Sequence, residues 1–195
     1  EMGLAGCHLE DQVNPKRCGH LDNKSIVPVA EMTMKLRAAS DAKKDANFLL
    51  MARTDARASE GLSAAIDRCK AYIDAGADAI FPEALQGWEE YEKVREAIDV
   101  PLLANLTEFG KTPLLNKTEL EELGYNIAIY PVTSLRLSMK AVEDGFAAIK
   151  HQGTQKEIVD RMQTRARLYE LINYEDYNKF DKDIFNFGTD GHGGD

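Results

Sequence analysis

The order of apolar segments along the chain most strongly constrains its fold. Short apolar runs that end in polar residues alternate with longer stretches in which apolar residues recur with the period of a helix. This alternation is typical of βα units that build a parallel sheet. We predict strands at residues 4–9, 48–52, 79–81, 102–104 and 127–130, and helices at residues 30–43, 60–75, 88–98, 118–123, 134–151 and 156–172.

Two glycines mark predicted helix ends. Gly76 and Gly124 each follow the last apolar position of a helical stretch, where a left-handed backbone costs little only for glycine. Thr118 and Glu121 have the spacing of a capping box, which predicts where one of these helices begins.

The number of βα units bears on the whole architecture. Five units are too few to close an eight-stranded barrel, which takes about 250 residues. We therefore expect the α/β fold class of a TIM-type (β/α)8 barrel that lacks roughly its first three βα units and carries extra C-terminal helices. Residues 1–153 would form the catalytic partial barrel, residues 154–187 a C-terminal helical segment, and the polar residues 188–195 a disordered tail.

Charge, hydropathy and cysteine use argue against some classes of protein. The 195-residue chain has a formal net charge of −9, which disfavours a nucleic-acid-binding surface. Its apolar runs fall short of the roughly 18 residues of a membrane span, so we expect no membrane contact and a cytoplasmic location. The three cysteines form no CxxC pair, which favours free thiols in a reducing compartment. We predict that Cys7, in a strand, and Cys69, in a helix, are buried.

Polar residues follow the predicted strands at the points where the strands end. In an α/β barrel the functional groups project from the carboxyl ends of the strands, so these side chains are expected to surround one pocket mouth. An arginine directly after a buried run is costly unless an anion or a carboxylate meets it, which makes Arg53 notable. The expected ring consists of Glu10, Asp11, Arg53, Asp55, Glu83, Asn105 and Glu108.

The segment after the first strand combines a thiol with cations. Cys18 is flanked by Lys16, Arg17 and His20, and nearby positive charge favours the thiolate. Gly19 gives the backbone freedom to approach a substrate. A cysteine near a histidine also suggests the nucleophile of a cysteine protease, but here the two lie two residues apart on one loop without a local motif of those enzymes.

The residues 16–20 resemble the active-site loop of the isocitrate lyase and phosphoenolpyruvate mutase superfamily. Further segments in the same order resemble the branch of that superfamily that cleaves 2-methylisocitrate. They are residues 6–12, 51–55, 81–83, 104–110 and 153–156. The resemblance extends to about Tyr177 and so covers nearly the whole chain.

This resemblance implies a retro-aldol cleavage of a tricarboxylate, 2-methylisocitrate, into pyruvate and succinate. The Cys18 thiol would protonate the carbanion that the cleavage leaves, and Mg²⁺ (or Mn²⁺) would hold the pyruvate half, with Glu10 touching the metal through water. The implied catalytic residues are Cys18, His20 and Glu10. The implied substrate-binding residues are Lys16, Arg17, Gly19, Arg53, Glu83, Asn105, Thr107 and Arg136.

The family's principal metal-binding aspartates lie on strands that would precede Glu1. We therefore expect that the 195 residues alone hold no complete magnesium site and have no lyase activity. The apolar stripe of residues 134–172 is more than one barrel face needs, and relatives exchange a C-terminal helix between subunits. We accordingly expect a homotetramer.

Other functions stay open at this point. Isocitrate differs from 2-methylisocitrate by one methyl group, which a pocket discriminates by only about 1 to 3 kcal/mol. Residues 104–108 resemble the methylisocitrate branch rather than isocitrate lyases, and we favour 2-methylisocitrate over isocitrate, dimethylmalate or oxaloacetate as the substrate. A reading of a different class is a non-catalytic scaffold that keeps only the fold and the oligomer surface.

Overall fold

The computed structural model describes residues 3–16 and 25–185. Its strands are β1 (Gly6–Glu10), β2 (Leu49–Thr54), β3 (Ala79–Pro82), β4 (Leu103–Asn105) and β5 (Ile127–Ile129). Its helices are α1 (Val29–Asp41), α2 (Ala56–Glu60), α3 (Leu62–Asp74), α4 (Trp88–Ala97), α5 (Lys117–Glu122), α6 (Thr133–Gln152), a 3₁₀ helix (Lys156–Arg161), α7 (Arg165–Leu171) and α8 (Tyr174–Phe185).

The strands pair in parallel and in chain order. One sheet has the order β1-β2-β3, a second consists of β4 and β5, and a parallel bridge between Ile80 and Leu102 connects β3 with the start of β4. The register places Glu10 beside Arg53 and Arg53 beside Phe81. The predicted α/β class with parallel strands is confirmed, and all five strands have their carboxyl ends on the same side.

The hydrophobic core lies between the strands and the helices that connect them. Met32 and Leu36 of α1, Tyr72 of α3 and Tyr91 of α4 are buried against strand residues such as Ile80. Burying apolar surface of this kind is the main favourable term in folding. The core therefore fixes where each strand ends, and with it the positions of the side chains that follow.

The chain divides into two compact units, residues 1–136 and residues 137–195. The five strands belong to the first unit. Among the described residues of the second unit, none is buried. The predicted boundary after residue 153 falls inside the second unit and stays a prediction, and the predicted disordered tail lies outside the described residues.

Gly76 and Gly124 end their helices as predicted. Gly76 has a φ of 102°, the Ala77 amide donates to the carbonyl of Tyr72 at 3.0 Å, and the Gly76 amide donates to Ile73 at 2.9 Å. These two bonds form a Schellman motif, which satisfies carbonyls at the helix end. A Cβ at Gly76 would also lie 2.6 Å from Oγ of Ser40, so the position requires glycine for space as well as for φ.

The predicted capping box was wrong. The helix α5 begins at Lys117 with Asn116 as its N-cap: the Asn116 side chain accepts from the Glu119 amide, and the Glu119 side chain accepts from the Asn116 amide. Asn116 satisfies the Glu119 amide, whereas the predicted box would have satisfied the Glu121 amide. Because Asn116 and Glu119 have the same spacing as Thr118 and Glu121, the pattern alone did not distinguish the two starts.

Two predicted helices differ from the observed ones. The predicted helix 60–75 corresponds to α3, which begins at Leu62 after Gly61 with its φ of 87°, while Glu60 belongs to the separate helix α2. The predicted helix 156–172 is a 3₁₀ helix followed by α7, which begins at an N-cap where the Thr164 hydroxyl accepts from the Arg167 amide at 3.2 Å. Both breaks occur at residues that favour helix starts over helix interiors.

The two cysteines that the structure describes differ in exposure. Cys69 is buried, as predicted, and burial followed by the charge of Asp11 raises the pKa of its thiol to about 12. The prediction for Cys7 was wrong, because this thiol is exposed. Its strand, β1, pairs only with β2 among the described strands and so is an edge strand within that part of the chain.

In the described part of the chain, no helix has both the length and the apolar character needed to cross a membrane.

Candidate active site

Arg53, at the end of β2, is the centre of a cluster of carboxylates. Its Nε lies 3.2 Å from Oε1 of Glu10 and 3.1 Å from Oδ2 of Asp55, and its Nη2 lies 2.8 Å from Oε2 of Glu83. The strands β1, β2 and β3 are parallel neighbours, so their carboxyl ends bring these side chains together. We call Glu10, Arg53, Asp55, Glu83 and Asn105 the rim cluster.

The charge of Arg53 is well stabilised although the side chain is largely buried. Burial alone disfavours the guanidinium, but Glu83, Asp55 and Glu10 outweigh this effect and raise the pKa of Arg53 above its ordinary value. The guanidinium also stacks on the Phe81 ring, with 4.7 Å from Cζ to the ring centroid. A guanidinium that is charged and oriented in this way suits recognition of a carboxylate by paired hydrogen bonds.

Glu10 is held from several sides. Its Oε1 accepts from Nε2 of Gln12 at 2.7 Å, and its Oε2 lies 2.9 Å from Nζ of Lys16. Arg53 provides a second cation at Oε1. Lys16, a predicted substrate-binding residue, therefore reaches the rim cluster through Glu10.

Asn105, at the end of β4, extends the rim cluster to a fourth strand. Its Nδ2 lies 3.3 Å from each carboxylate oxygen of Glu83, while its buried Oδ1 has no hydrogen-bond partner among the described residues. An unsatisfied buried acceptor costs about 1 to 3 kcal/mol, so a donor or a cation from a ligand would find a favourable place here. Thr107, also predicted at the site, is buried two residues beyond Asn105.

Arg136 forms a separate cluster with the segment after β4. It pairs with the carboxylate of Glu108 and donates to the Glu108 carbonyl at 3.0 Å, and its guanidinium lies 5.1 Å from the centroid of the Phe109 ring. The hydroxyl of Thr133 also donates to Glu108. The Thr133 hydroxyl, a backbone hydrogen bond and Arg136 lower the pKa of Glu108. That Arg136 binds the substrate stays a prediction.

Three residues in left-handed backbone follow the ends of three consecutive strands. Ala84 comes after β3 with a φ of 60°, Phe109 after β4 with a φ of 60°, and Val132 after β5 with a φ of 57°. This conformation costs an L-residue about 1 to 2 kcal/mol, and a β-branched residue such as Val132 adopts it rarely. Because backbone strain clusters at functional sites, the pattern supports the carboxyl end of the sheet as the candidate site.

Asp11 is not part of the ring in which we predicted it. Its carboxylate is fully buried and lies against α3, where it accepts hydrogen bonds from the hydroxyls of Thr54 and Tyr72. Sequence reasoning missed both Tyr72 and Arg68, which lies 3.7 Å from the same carboxylate. A signal was available, because Arg68 occupies the same helix face as the buried Ala65 and Tyr72.

Four predicted site residues, Arg17, Cys18, Gly19 and His20, lie outside the described residues. The described residues on either side of this segment meet next to the end of β1. The Val13 amide donates to the Ser25 carbonyl at 2.9 Å, and Gln12 and Ile26 form an antiparallel bridge.

The described residues do not form a metal site by themselves. In residues 3–16 and 25–185, no group of three histidine, cysteine, aspartate or glutamate side chains is arranged to hold a metal ion. The carboxylates of the rim cluster converge on Arg53, whose positive charge takes the position that a cation would need. The oxygen of Glu10 has the hard-donor chemistry that Mg²⁺ prefers, but one carboxylate is not a complete site.

Residues 1–150 match the protein family described as phosphoenolpyruvate phosphomutase. The chain is 58% identical over 188 residues to probable 2-methylisocitrate lyase 1 of Corynebacterium glutamicum, and 53% identical over 184 residues to 2-methylisocitrate lyase of Bacillus subtilis. These matches cover 96% and 94% of this chain but 62% and 60% of the relatives. The chain thus spans about three-fifths of the length of the curated relatives it matches.

A solved structure has a similar fold. Phosphonopyruvate hydrolase in complex with oxalate and Mg²⁺ is 28% identical to the chain with a TM-score of 0.76, and the match covers 90% of this chain and 61% of that one. The family match extends over the strands that carry the rim cluster. The predicted superfamily is confirmed, and this chain belongs to the phosphoenolpyruvate phosphomutase family.

Proposed function

We propose that this chain provides the substrate-binding part of a carbon–carbon lyase that cleaves 2-methylisocitrate into pyruvate and succinate. The names of the Corynebacterium and Bacillus relatives support this substrate. The observation that carries the proposal is the rim cluster, in which Arg53 is held by carboxylates from three strand ends beside the unsatisfied Oδ1 of Asn105. A tricarboxylate substrate offers a carboxylate that the Arg53 guanidinium can bind through charge-assisted hydrogen bonds.

The proposed reaction balances without a redox partner. A base takes the proton of the substrate hydroxyl, the electrons of that O–H bond form the carbonyl of pyruvate, and the adjacent carbon–carbon bond breaks. Its electron pair stays on the succinate carbon as a carbanion next to a carboxylate. We assign the proton that quenches this carbanion to the Cys18 thiol, and the placement of the substrate to Gly19 and His20.

The remaining substrate-binding roles follow the rim geometry. Arg53 binds one substrate carboxylate, while Glu83, Asn105 and Thr107 contact the succinyl end. We assign Arg136 to the same end, which requires the guanidinium to exchange its Glu108 partner for the substrate. Lys16 and Arg17 add positive charge for the tricarboxylate.

We propose Mg²⁺, or Mn²⁺ in its place, as the cofactor, with Glu10 contributing one oxygen ligand through water. The oxygen chemistry of Glu10 and the Mg²⁺ in the phosphonopyruvate hydrolase structure support this assignment. The ion would stabilise negative charge that develops on the substrate oxygens. Dialysis against a chelator should abolish pyruvate release, and added Mg²⁺ should restore it.

The test of the proposed function is pyruvate release from 2-methylisocitrate. The protein to assay is a chimera that joins this chain to the part of the Corynebacterium relative that it does not cover. Arg53→Lys keeps the charge but loses the paired geometry, and we expect kcat/KM to fall by about a hundredfold. Arg57→Lys is the matched control, because Arg57 makes a bidentate pair with Glu90 and is not assigned to the substrate. Absence of pyruvate release by the unsubstituted chimera would contradict the proposal.

The same chimera identifies the substrate within the superfamily. We expect higher turnover of 2-methylisocitrate than of isocitrate, dimethylmalate or oxaloacetate. Since one methyl group is worth about 1 to 3 kcal/mol, the expected preference over isocitrate is roughly 10- to 200-fold. Equal turnover of the two would point to a broader superfamily activity. A chimera that folds but turns over none of the four would instead favour a non-catalytic scaffold.

We further propose a homotetramer in the cytoplasm. Large apolar side chains that are exposed in the second unit support an interface between subunits; they include Leu137, Met139, Phe146, Met162, Tyr177 and Phe180. Exposed apolar surface of this extent marks interaction sites more often than free surface. Light scattering on the chimera should give four times the subunit mass, and a monomer at micromolar concentration would contradict the proposal.

A further inference from the structure

Asp11 directly follows β1 and lies beneath the rim cluster. Its Oδ1 accepts from the Asp55 amide at 2.9 Å, and its Oδ2 accepts from the Thr54 hydroxyl at 2.7 Å. Its own amide donates to the Arg53 carbonyl at 3.2 Å. Asp11 therefore binds three consecutive residues of β2 and its end, and the first of them carries the central guanidinium of the rim cluster.

The other side of the Asp11 carboxylate is held by α3. The Tyr72 hydroxyl donates to Oδ2 at 2.8 Å, and Nη1 of Arg68 donates to the Tyr72 oxygen at 3.0 Å. Burial and then the charge of Asp11 raise the pKa of Tyr72, so the phenol stays protonated as a donor at neutral pH. Because Tyr72 is fully buried, it holds the carboxylate in one position.

Arg68 connects this network to the end of α2 and to the segment that precedes α1. Its Nε and Nη2 each lie 2.8 Å from an oxygen of Glu60, the last residue of α2, and its Nη1 donates to the Val27 carbonyl at 2.9 Å. The Val27 amide in turn donates to the Asp11 carbonyl at 2.7 Å. The network consequently connects the end of β1, both ends of α2 and Val27, two residues before α1.

We propose that Asp11 is a positioning residue for Arg53: from beneath the sheet end it fixes the backbone of residues 53–55, so that the guanidinium is oriented toward the substrate carboxylate. The inference rests on the proposed function for the identity of the substrate. Asp11 itself is fully buried and contacts neither substrate nor the Arg53 side chain in this arrangement.

Asparagine cannot replace Asp11 in this arrangement. The carboxylate accepts from two hydroxyls at one oxygen and from an amide at the other. An asparagine amide nitrogen in place of Oδ2 would face Thr54 and Tyr72, and the Tyr72 oxygen already accepts from Arg68. At least one hydroxyl proton would lose its acceptor, and the segment 53–55 would have to shift.

The test is a double-mutant cycle between Asp11→Asn and Arg53→Lys in the chimera, with kcat and KM measured for 2-methylisocitrate. We expect Asp11→Asn alone to lower kcat/KM by about tenfold or more, with most of the loss in KM, because Arg53 binds the substrate in the ground state as well. In the Arg53→Lys background the same substitution should change kcat/KM by less than about twofold, since its effect passes through Arg53.

If Asp11 had only a structural role, the effect of Asp11→Asn on kcat/KM would not depend on Arg53. If Asp11→Asn lowers kcat/KM by the same factor with and without Arg53→Lys, the positioning role is overturned. Tyr72→Phe repeats the cycle with a smaller perturbation in case Asp11→Asn does not fold, and it should show the same coupling in the same direction. Tyr125→Phe is the matched control, because it removes a buried phenol whose hydroxyl donates to the Tyr91 carbonyl, outside this network.

Hydrogen exchange separates this inference from the proposed function. Asp11→Asn and Tyr72→Phe should accelerate exchange of the Asp55 amide by at least about tenfold relative to the Tyr125→Phe chimera. If the unsubstituted chimera releases no pyruvate but this acceleration is present, the proposed substrate is wrong and the positioning of residues 53–55 stands. If exchange of the Asp55 amide is unchanged in both variants, the positioning role is wrong whatever the activity.

Discussion

The rim cluster differs from the Asp11 network, which consists of Asp11, Thr54, Tyr72, Arg68 and Glu60. Both contain the same kinds of group, but these groups are paired to different extents. In the rim cluster, Arg53 is surrounded by three carboxylates and Oδ1 of Asn105 has no partner. In the network beneath it, the nitrogens of Arg68 and the carboxylate oxygens of Asp11 all have partners. The first arrangement has capacity left for a ligand, whereas the second is complete within the protein.

This difference predicts opposite responses to substitution. Removing one member of a fully paired buried network leaves other members unsatisfied and costs stability. Removing one of several like charges around a ligand site relieves repulsion and costs function instead. Stability measurements on matched variants therefore distinguish the two regions without any knowledge of the substrate.

The largest effect is expected for Arg68→Met. The substitution leaves Asp11 fully buried without its nearby cation and removes both hydrogen bonds to Glu60. We expect the free energy of unfolding to fall by about 3 kcal/mol in urea denaturation. Arg57→Met is the control, since its partner Glu90 is partly exposed and the loss should stay below about 1 kcal/mol. Equal losses in the two variants would show that the Asp11 network contributes no special stability.

Two substitutions, one in each region, test whether the free energy of unfolding falls in the Asp11 network but not in the rim cluster. Asp11→Asn should lower the free energy of unfolding by about 2 kcal/mol because it leaves a buried hydroxyl proton without an acceptor. Glu83→Gln should leave stability unchanged or raise it slightly, because the new amide group offers a donor to Oδ1 of Asn105 while Arg53 keeps Glu10 and Asp55. Urea denaturation of both variants measures this. Destabilisation by both to the same extent would mean that the rim cluster is as fully paired as the network below it.

The sequence predicted the residues of the rim cluster but not the partners of Asp11. Short apolar runs followed by polar residues identified Glu10, Arg53, Glu83 and Asn105, because strand ends in a parallel α/β fold converge by topology alone. The partners that decide the energetics were not visible. Tyr72 reaches Asp11 across 61 positions of sequence, and nothing local marks such a contact.

The errors in the predicted elements have a common physical origin. Asn116 instead of Thr118 as the N-cap, and Thr164 inside a predicted helix, are choices between residues of similar capping propensity. Tertiary packing decides between such alternatives, and the local sequence does not show which tertiary contacts form. The exposed Cys7 is an error of a different kind, because the burial of a strand side chain depends on which elements pack on its face of the sheet, and local pattern does not show this.

A smaller effect is expected at Tyr72. Tyr72→Phe removes one hydroxyl from the Asp11 network but keeps the ring in the core, so the free energy of unfolding should fall by about 1 kcal/mol. Tyr125→Phe removes a comparable buried hydroxyl whose bond to the Tyr91 carbonyl is longer, at 3.3 Å. We expect a smaller loss there, and thermal unfolding of the two variants side by side measures the difference. A larger loss for Tyr125→Phe would contradict the greater weight that we give to the network.

Relief of backbone strain at a strand end should raise the free energy of unfolding, whereas the substitutions in the Asp11 network lower it. Val132→Gly should raise the free energy of unfolding by about 0.5 kcal/mol, because relief of the left-handed β-branched residue exceeds the entropic cost of glycine. Asn173→Gly is the control: Asn173 has a φ of 53° but lies between α7 and α8, and asparagine tolerates this conformation well. Its stability should stay nearly unchanged. A loss of stability in Val132→Gly would show that the strain at the strand end is smaller than its backbone angle implies.

The smallest expected effect is a dependence of stability on pH that comes from Glu60. Hydrogen bonding from Arg68 lowers the pKa of Glu60 below its ordinary value of 4.5, and burial opposes this only in part. A carboxyl with a lower pKa in the folded state binds fewer protons than in the unfolded state, so its contribution is present above about pH 4.5 and is lost as the pH falls through the folded pKa. Glu60→Gln should therefore flatten the curve of unfolding free energy against pH below 4.5 and leave its shape at neutral pH unchanged.

Because Glu60 is more than one-third exposed, the effect is modest, and urea midpoints between pH 3 and pH 7 in steps of about half a unit should resolve it. An unchanged acid limb in this variant would mean that Arg68 is held by Asp11 and Tyr72 and not by Glu60.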